Sequence, residues 1–205
     1  MIKIKEKRKF LIALILFLLF LVFLTSVIFN KELLIDNFVF EKIVLNIRCD
    51  FLTTILKYIT VLSNPELLVV LTVVLLIFIK GFKEKLCLVF NISFVTLINQ
   101  ILKRIICRPR PDVVKLITQG GYSFPSGHAM ASTAFYGYLI YLLWKSKLNK
   151  TYKYIGTGLL VLLIFTICFS RIYLGVHYAS DVIAGVCLST IHLIIFTSIL
   201  KKKVK

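Results

Sequence analysis

The chain has 205 residues, of which 59% are hydrophobic, and a mean hydropathy of +0.93. Soluble globular domains lie nearer half apolar, so the balance points to an integral membrane protein built as one domain over residues 1–205. The net charge of +17 falls in short Lys/Arg clusters between long apolar runs, not in a basic stripe interleaved with aromatics; this excludes nucleic acid as the expected partner and leaves the bilayer.

The N-terminal MIKIKEKRKF resembles the basic region of a signal peptide, but the apolar stretch Phe10–Phe29 is twenty residues long and no small-x-small cleavage site follows it. A retained first span is expected, since a hydrocarbon core of about 30 Å needs roughly twenty helical residues. In the next segment, 30–64, Phe40, Ile43, Val44, Ile47, Phe51, Leu52, Ile55 and Ile59 recur at helical spacing, with Glu41, Arg48, Asp50 and Lys57 between them. That pattern suits one or two amphipathic helices at the membrane surface, or a cap packed on the bundle. Apolar segments then follow at 65–82, 86–102, 127–144, 154–170 and 181–200. Hydrocarbon offers the backbone no outside hydrogen-bond partner, so each is expected to be helical. The expected fold is all-α, a six-transmembrane-helix bundle with the amphipathic segment between spans one and two. Its weakest span is the second, where the strongly apolar part, Leu67–Ile79, has thirteen residues. Pro65 stands near its start, where a helix tolerates proline.

Charge sets the expected orientation. With the N-terminus in the cytoplasm, the inner segments 1–9, 80–85, 145–153 and 201–205 hold sixteen of the 26 Lys and Arg. The positive-inside rule then puts both termini in the cytoplasm of a multi-pass plasma-membrane protein. Arginine runs against this trend, because Arg48, Arg104, Arg108, Arg110 and Arg171 all fall outside and only Arg8 inside. The outer arginines therefore need another explanation. Cys87, Cys168 and Cys187 lie in apolar runs as small hydrophobes; Cys49 and Cys107 both face outside, and a bridge between them is not expected.

Three blocks carry the chemistry. KRIICRPRP, Lys103–Pro111, ends the third span on the side where a stop-transfer cluster is disfavoured. Its two X-Pro steps extend the backbone, and Arg grips phosphate bidentately while Lys supplies a point charge. FPSGHA, Phe124–Ala129, opens the fourth span. Ser126 suits its N-cap, Gly127 allows a ligand close to the backbone, and His128 falls in the first turn, beside the anion-binding N–H groups. SRIYLGVHYASD, Ser170–Asp181, joins spans five and six. His177 and Asp181 are four apart and would share a face on a helix, where a carboxylate on one ring nitrogen leaves the other free to attack. An ordinary helix start and a lone interfacial histidine remain the plain readings of the last two blocks taken singly. In a six-span bundle the loops between spans three and four and between five and six face the same side, so Lys103, Arg110, His128, Arg171, His177 and Asp181 can converge. His192, inside the sixth span with no charge nearby, reads as a packing histidine.

These blocks resemble the signature of the type 2 phosphatidic acid phosphatase family, the lipid phosphate phosphatases: Lys-x6-Arg-Pro, Pro-Ser-Gly-His and Ser-Arg-x5-His-x3-Asp. They stand here as Lys103…Arg110-Pro111, Pro125–His128 and Ser170-Arg171…His177…Asp181. The register is fixed, since seven residues upstream of Arg108 is Ile101. The resemblance implies that His177 attacks phosphorus to form a phosphohistidine, oriented by Asp181. His128 would protonate the leaving oxygen and then activate water, so the two histidines need opposite starting states. Lys103, Arg110, Ser126, Gly127 and Arg171 would bind the phosphate, with no metal and no cofactor. The implied substrate is a phospholipid or polyprenyl phosphate, with undecaprenyl diphosphate and phosphatidylglycerophosphate foremost and a broad phosphatidic acid phosphatase as the alternative. Vanadium-dependent haloperoxidases share the phosphate motifs but are soluble. An anion or lipid transporter is the competing class, although the charges here gather at one face instead of running through the spans.

Overall fold

The computed structural model describes residues 2–30 and 33–202. Among these the regular structure is all helical, with α1 at Ile2–Asn30, α2 at Leu34–Asn37, a π-helical turn at Phe38–Val44 and α3 at Leu45–Ile47. There follow α4 at Asp50–Val61, α5 at Pro65–Phe78, α6 at Phe82–Ile106, α7 at Gly127–Lys145, α8 at Lys150–Tyr173 and α9 at Ala179–Lys202. In α1, α6, α8 and α9 the apolar run is long enough to cross a bilayer, and the pair α4 and α5, bent by 53° at its break, makes a possible fifth span.

The expectation of six spans is thus met only in part. Segment 65–82 yields a helix of 14 residues ending at Phe78, because Gly81 opens the next helix and the chain turns in between. Segment 127–144 is helical over 19 residues but not apolar enough, since its sequence spends positions on His128, Ser132, Thr133, Tyr136 and Tyr138. Those residues make sense by location. α7 packs against α6, α8 and α9 at the centre of the bundle, and small Ala, Ser and Thr residues allow close helix approach there. Around it α1, α6 and α8 turn Phe10, Ile15, Leu86, Leu97, Leu159 and Phe165 outward, as lipid-facing surfaces should.

The amphipathic segment forms a cap and a strut. Val44 and Leu56 are buried with Tyr173, Leu174 and Val176, while Phe51 and Ile43, counted on the same stripe, are exposed. α4 packs along α8, then breaks at Leu62–Asn64, with Pro65 opening α5. Near the start of α7, Gly185 lets α9 close on that helix, because a Cβ there would meet the Ser126 carbonyl at 3.0 Å. His192 stacks between Phe94 and Phe196 with centroids at 4.8 and 5.4 Å, and its Nε2 lies 2.9 Å from Asn91 Oδ1. It is a packing residue with a polar anchor. All five cysteines are free thiols.

Candidate active site

The site is assembled where α6 ends, α7 begins and α8 turns into α9. Cys107, left-handed at φ 51°, stops α6 and releases the Arg-Pro-Arg-Pro stretch. Loop 107–126 is tied across the bundle end by Leu116 N to Leu174 O (3.0 Å) and Ser123 N to Arg108 O (2.9 Å). Ser126 N donates to Asp181 O at 3.1 Å, which locks the start of α7 to the start of α9.

Asp181 lies in the first turn of α9, but His177 sits before that helix, in the turn Leu174–Tyr178. The expected shared helical face is therefore replaced by a folded turn. Gly175 takes φ +73°, where any Cβ would meet Val114 O at 2.9 Å, and the N–H groups of Val176 and His177 return to Arg171 O, each at 3.2 Å. The pairing survives. His177 Nδ1 is 3.3 Å from Asp181 Oδ2, and that oxygen also accepts from Tyr178 N at 3.0 Å.

Arg110 fixes the ring's other side. Its Nη1 lies 3.2 Å from His177 Nε2, and it donates to the carbonyls of Val176, Gly120 and Gly121. Guanidinium groups only donate, so Nε2 is the acceptor and Nδ1 carries the proton towards Asp181. That tautomer leaves Nε2 unprotonated, its lone pair held by Arg110 Nη1 at the cavity's polar end. His177 is buried, and burial, reinforced by Arg110, Arg171 and Lys103, pushes its pKa well below the ordinary histidine range. Burial also lowers Arg110, offset in part by Asp181.

A cavity of about 1020 Å³ opens in front of Nε2, with Lys103, Arg110, Gly127, His128 and His177 at its polar end. Its walls continue as Leu68, Val69 and Val73 of α5 facing Val89, Ile92 and Val95 of α6. Lys103 Nζ donates to Tyr122 O at this end. His128 Nε2 is 2.8 Å from Asn64 Oδ1, and its carbonyl accepts from Ser63 Oγ at 3.0 Å, so the break between α4 and α5 holds this histidine. Gly127 is needed here, because a Cβ would meet Asn99 Oδ1 at 3.1 Å.

Two expected phosphate residues stand behind the wall. Ser126 is fully buried and its Oγ faces Ala129 N at 3.5 Å, as a helix cap. Arg171 is also buried, donating to Thr60 Oγ1 (2.8 Å) and to Gln119 Oε1 (2.7 Å). Its Nε is a buried donor with no acceptor. Among the described residues, Lys103, Arg110 and Arg171 make no ion pair with a carboxylate, and every hydrogen-bond acceptor just named for them is neutral.

Sequence reasoning missed Asn64, Thr60, Gln119, Asp36 and Arg108. The first three carry no signal beyond polarity near an apolar run. Arg108 was visible only as the out-of-register partner of Arg110. Its Nη1 binds Asp181 Oδ1 at 2.6 Å and Ser180 Oγ at 2.8 Å, and its Nη2 binds Asp36 Oδ2 at 2.8 Å.

Comparison with known proteins places this geometry. A model of the PAP2 superfamily matches residues 84–205. Phosphatidylglycerophosphatase B of Bacillus subtilis is 33% identical over 178 residues, covering 83% of this chain and 85% of the relative. The crystal structure of a transmembrane PAP2 type phosphatidylglycerolphosphate phosphatase from Bacillus subtilis superposes with a TM-score of 0.84 at 28% identity, over 94% of this chain and 97% of that one. Aquifex aeolicus LpxE superposes with a TM-score of 0.69 at 26% identity, over 82% of this chain and 98% of that chain.

Proposed function

This chain belongs to the PAP2 superfamily and is a membrane lipid phosphatase, and from that premise we propose that it removes the terminal phosphate of phosphatidylglycerophosphate through a phosphohistidine on His177. The observation that carries the reading is the set of three cations, Lys103, Arg110 and Arg171, gathered around His177 with only neutral partners. Three cations against the single nearby carboxylate of Asp181 leave an excess of positive charge poised for an anion, and a phosphoryl group fits it. The apolar walls between α5 and α6 supply room for lipid chains beside it.

In the proposed reaction Arg110 Nη1 turns from His177 Nε2 to the entering phosphate, and the freed Nε2 lone pair forms the N–P bond while the bond from phosphorus to the lipid oxygen breaks. His128, which takes up its second proton as the entering phosphate's negative charge offsets the surrounding cations, has one N–H held by Asn64 and gives the leaving oxygen a proton from the other. It then takes a proton from water, which attacks phosphorus and returns His177 to the neutral form. Arg110, Lys103 and the N–H groups at the start of α7 hold the equatorial oxygens. Arg171 joins them through its unpartnered Nε once Gln119 yields. Asp181 keeps the tautomer and balances the imidazolium as it forms.

The proposal extends to orientation. α1, α5, α6, α7, α8 and α9 make six crossings, α7 being sheltered by its neighbours and α5 completed by the turn at Leu62–Asn64. With lysine concentrated at the opposite end, the termini lie in the cytoplasm of the plasma membrane and the site at the outer face.

The test is phosphate release by purified protein in detergent from phosphatidylglycerophosphate, undecaprenyl diphosphate and phosphatidic acid, compared by kcat/KM. The expected order puts phosphatidylglycerophosphate first. Preference for the diphosphate would move the assignment to carrier-lipid recycling, and no release from any of the three would return the chain to the transporter class.

A further inference from the structure

Behind His177, on the side away from the cavity, lies a second charged group of different character. Asp181 and Asp36 share the Arg108 guanidinium at 2.6 and 2.8 Å, and all three side chains are fully shielded from solvent. Ser180 fixes Asp36 twice, N to Oδ1 at 2.8 Å and Oγ to Oδ2 at 2.9 Å. Leu33 N adds a third bond to Asp36 at 3.2 Å. Arg108 also lies 3.9 Å over the ring of Tyr178, whose backbone N–H holds Asp181. Residues from the cap, the Arg-Pro-Arg-Pro stretch and the start of α9 thus form one unit ending at His177 Nδ1.

Its charge balance is the informative feature. A lone Asp181 paired with Arg108 would offer His177 a neutralised partner. Counted over these three side chains, the second carboxylate on the same guanidinium leaves one net negative charge, shielded from solvent and reaching the ring through Asp181. A tie between α2 and α9 needs no such arrangement, because buried ion pairs are seldom better for stability than apolar packing.

We infer that Asp36 and Arg108 are positioning residues for the nucleophile, holding Asp181 rigid while preserving the negative charge that His177 requires as it becomes a cationic phosphoimidazole. This rests on the reading of His177 given above. Among the described residues, the charged and titratable groups about the ring are Asp181, with Arg108 and Asp36 behind it, Lys103, Arg110 and His128 at the cavity, and Arg171 behind its wall. The front cations attract the substrate but oppose a positive charge on His177, and the rear unit answers that opposition.

The experiment uses the full chain in detergent with a lipid phosphate substrate. Asp36→Asn keeps the shape and removes the charge; kcat is expected to fall about 10–100-fold, the usual scale for partners that fix a reactive imidazole, with KM nearly unchanged. Asp36→Glu restores most of the rate. Ser180→Ala removes hydrogen bonds of the unit while keeping every charge, and is expected to lower kcat by clearly less than Asp36→Asn does. The double variant Asp36→Asn/Asp181→Asn should be no slower than Asp181→Asn alone, because both act through one contact. The inference is overturned by a Ser180→Ala loss equal to that of Asp36→Asn, by full kcat in Asp36→Asn, or by additive losses in the double variant. Where Asp36→Asn accumulates too little for assay, Asp36→Glu decides: most of the rate is expected, and a loss of about tenfold or more in kcat overturns the inference. Rapid quench for an acid-labile, alkali-stable phosphoenzyme separates the two levels. Its absence from the unmodified enzyme removes the nucleophile reading, whereas its presence with full kcat in Asp36→Asn removes only this inference.

Discussion

The two sides of His177 hold arginines only two residues apart in sequence, yet Arg110 and Arg108 live in opposite electrostatic worlds. Arg110 rests against carbonyls and the acceptor nitrogen of the ring, at the edge of a cavity. Arg108 is sealed between two carboxylates and an aromatic face. The front is unfinished without an anion, while the rear is complete in itself. The difference teaches where binding energy and where folding energy reside in this site, and each expectation below presses on that division.

The largest effect belongs to the ring between them. His177→Ala should cut phosphate release by about 1000-fold or more, since the covalent route is lost entirely. Near-normal turnover would end the nucleophile assignment. Next come the arginines themselves. Arg110→Ala is expected to lower kcat/KM by about 100-fold, the scale of one lost transition-state donor, with the unfolding midpoint in detergent hardly changed. Arg108→Ala should instead destabilise by about 3–5 kcal/mol, because it strands two buried carboxylates. Similar thermal losses in both variants would erase the distinction between front and rear.

A smaller effect concerns pH. The folded His177 refuses a proton that the unfolded chain accepts near about pH 6.5, because burial and the three front cations disfavour its charge. For a base with a lowered folded pKa, the unfolded state binds more protons below that point, so stability falls as pH drops beneath about 6.5 and towards the folded value. His177→Asn should flatten this part of the unfolding curve, and an unaltered slope would show that the ring titrates freely. The smallest effect expected is from EDTA, which should leave turnover in place; loss restored by Mg²⁺ would hand the phosphate-binding role to a metal.

How much of this was legible beforehand depends on the kind of signal. Long apolar runs announced α1, α6, α8 and α9, because hydrocarbon enforces helix. The centre of the bundle was harder to size, since α7 is screened from lipid by its neighbours and so keeps serines, threonines and tyrosines that a lipid-facing helix would avoid. The spaced motifs pointed to Lys103, Arg110, His128, His177 and Asp181, and these do gather. They did not reveal that Ser126 and Arg171 stand behind the wall, nor that His177 precedes α9. Asp36 could not be found by pattern, being a lone acid 72 residues from Arg108 and 144 from Ser180. Asn64 was hidden for the same reason, its role arising only from the angle between α4 and α5.

That angle has a consequence for the membrane itself. α5 has 14 residues, a length of ~21 Å at the α-helical rise, against a hydrocarbon thickness of about 30 Å. α4 turns away at 53° from the end that carries Asn64, so the deficit falls beside the mouth of the cavity. A bilayer meets so short a wall by thinning locally. On the function proposed here, headgroups there are expected to sink towards His128, bringing a lipid's phosphate to reacting depth without its leaving the leaflet.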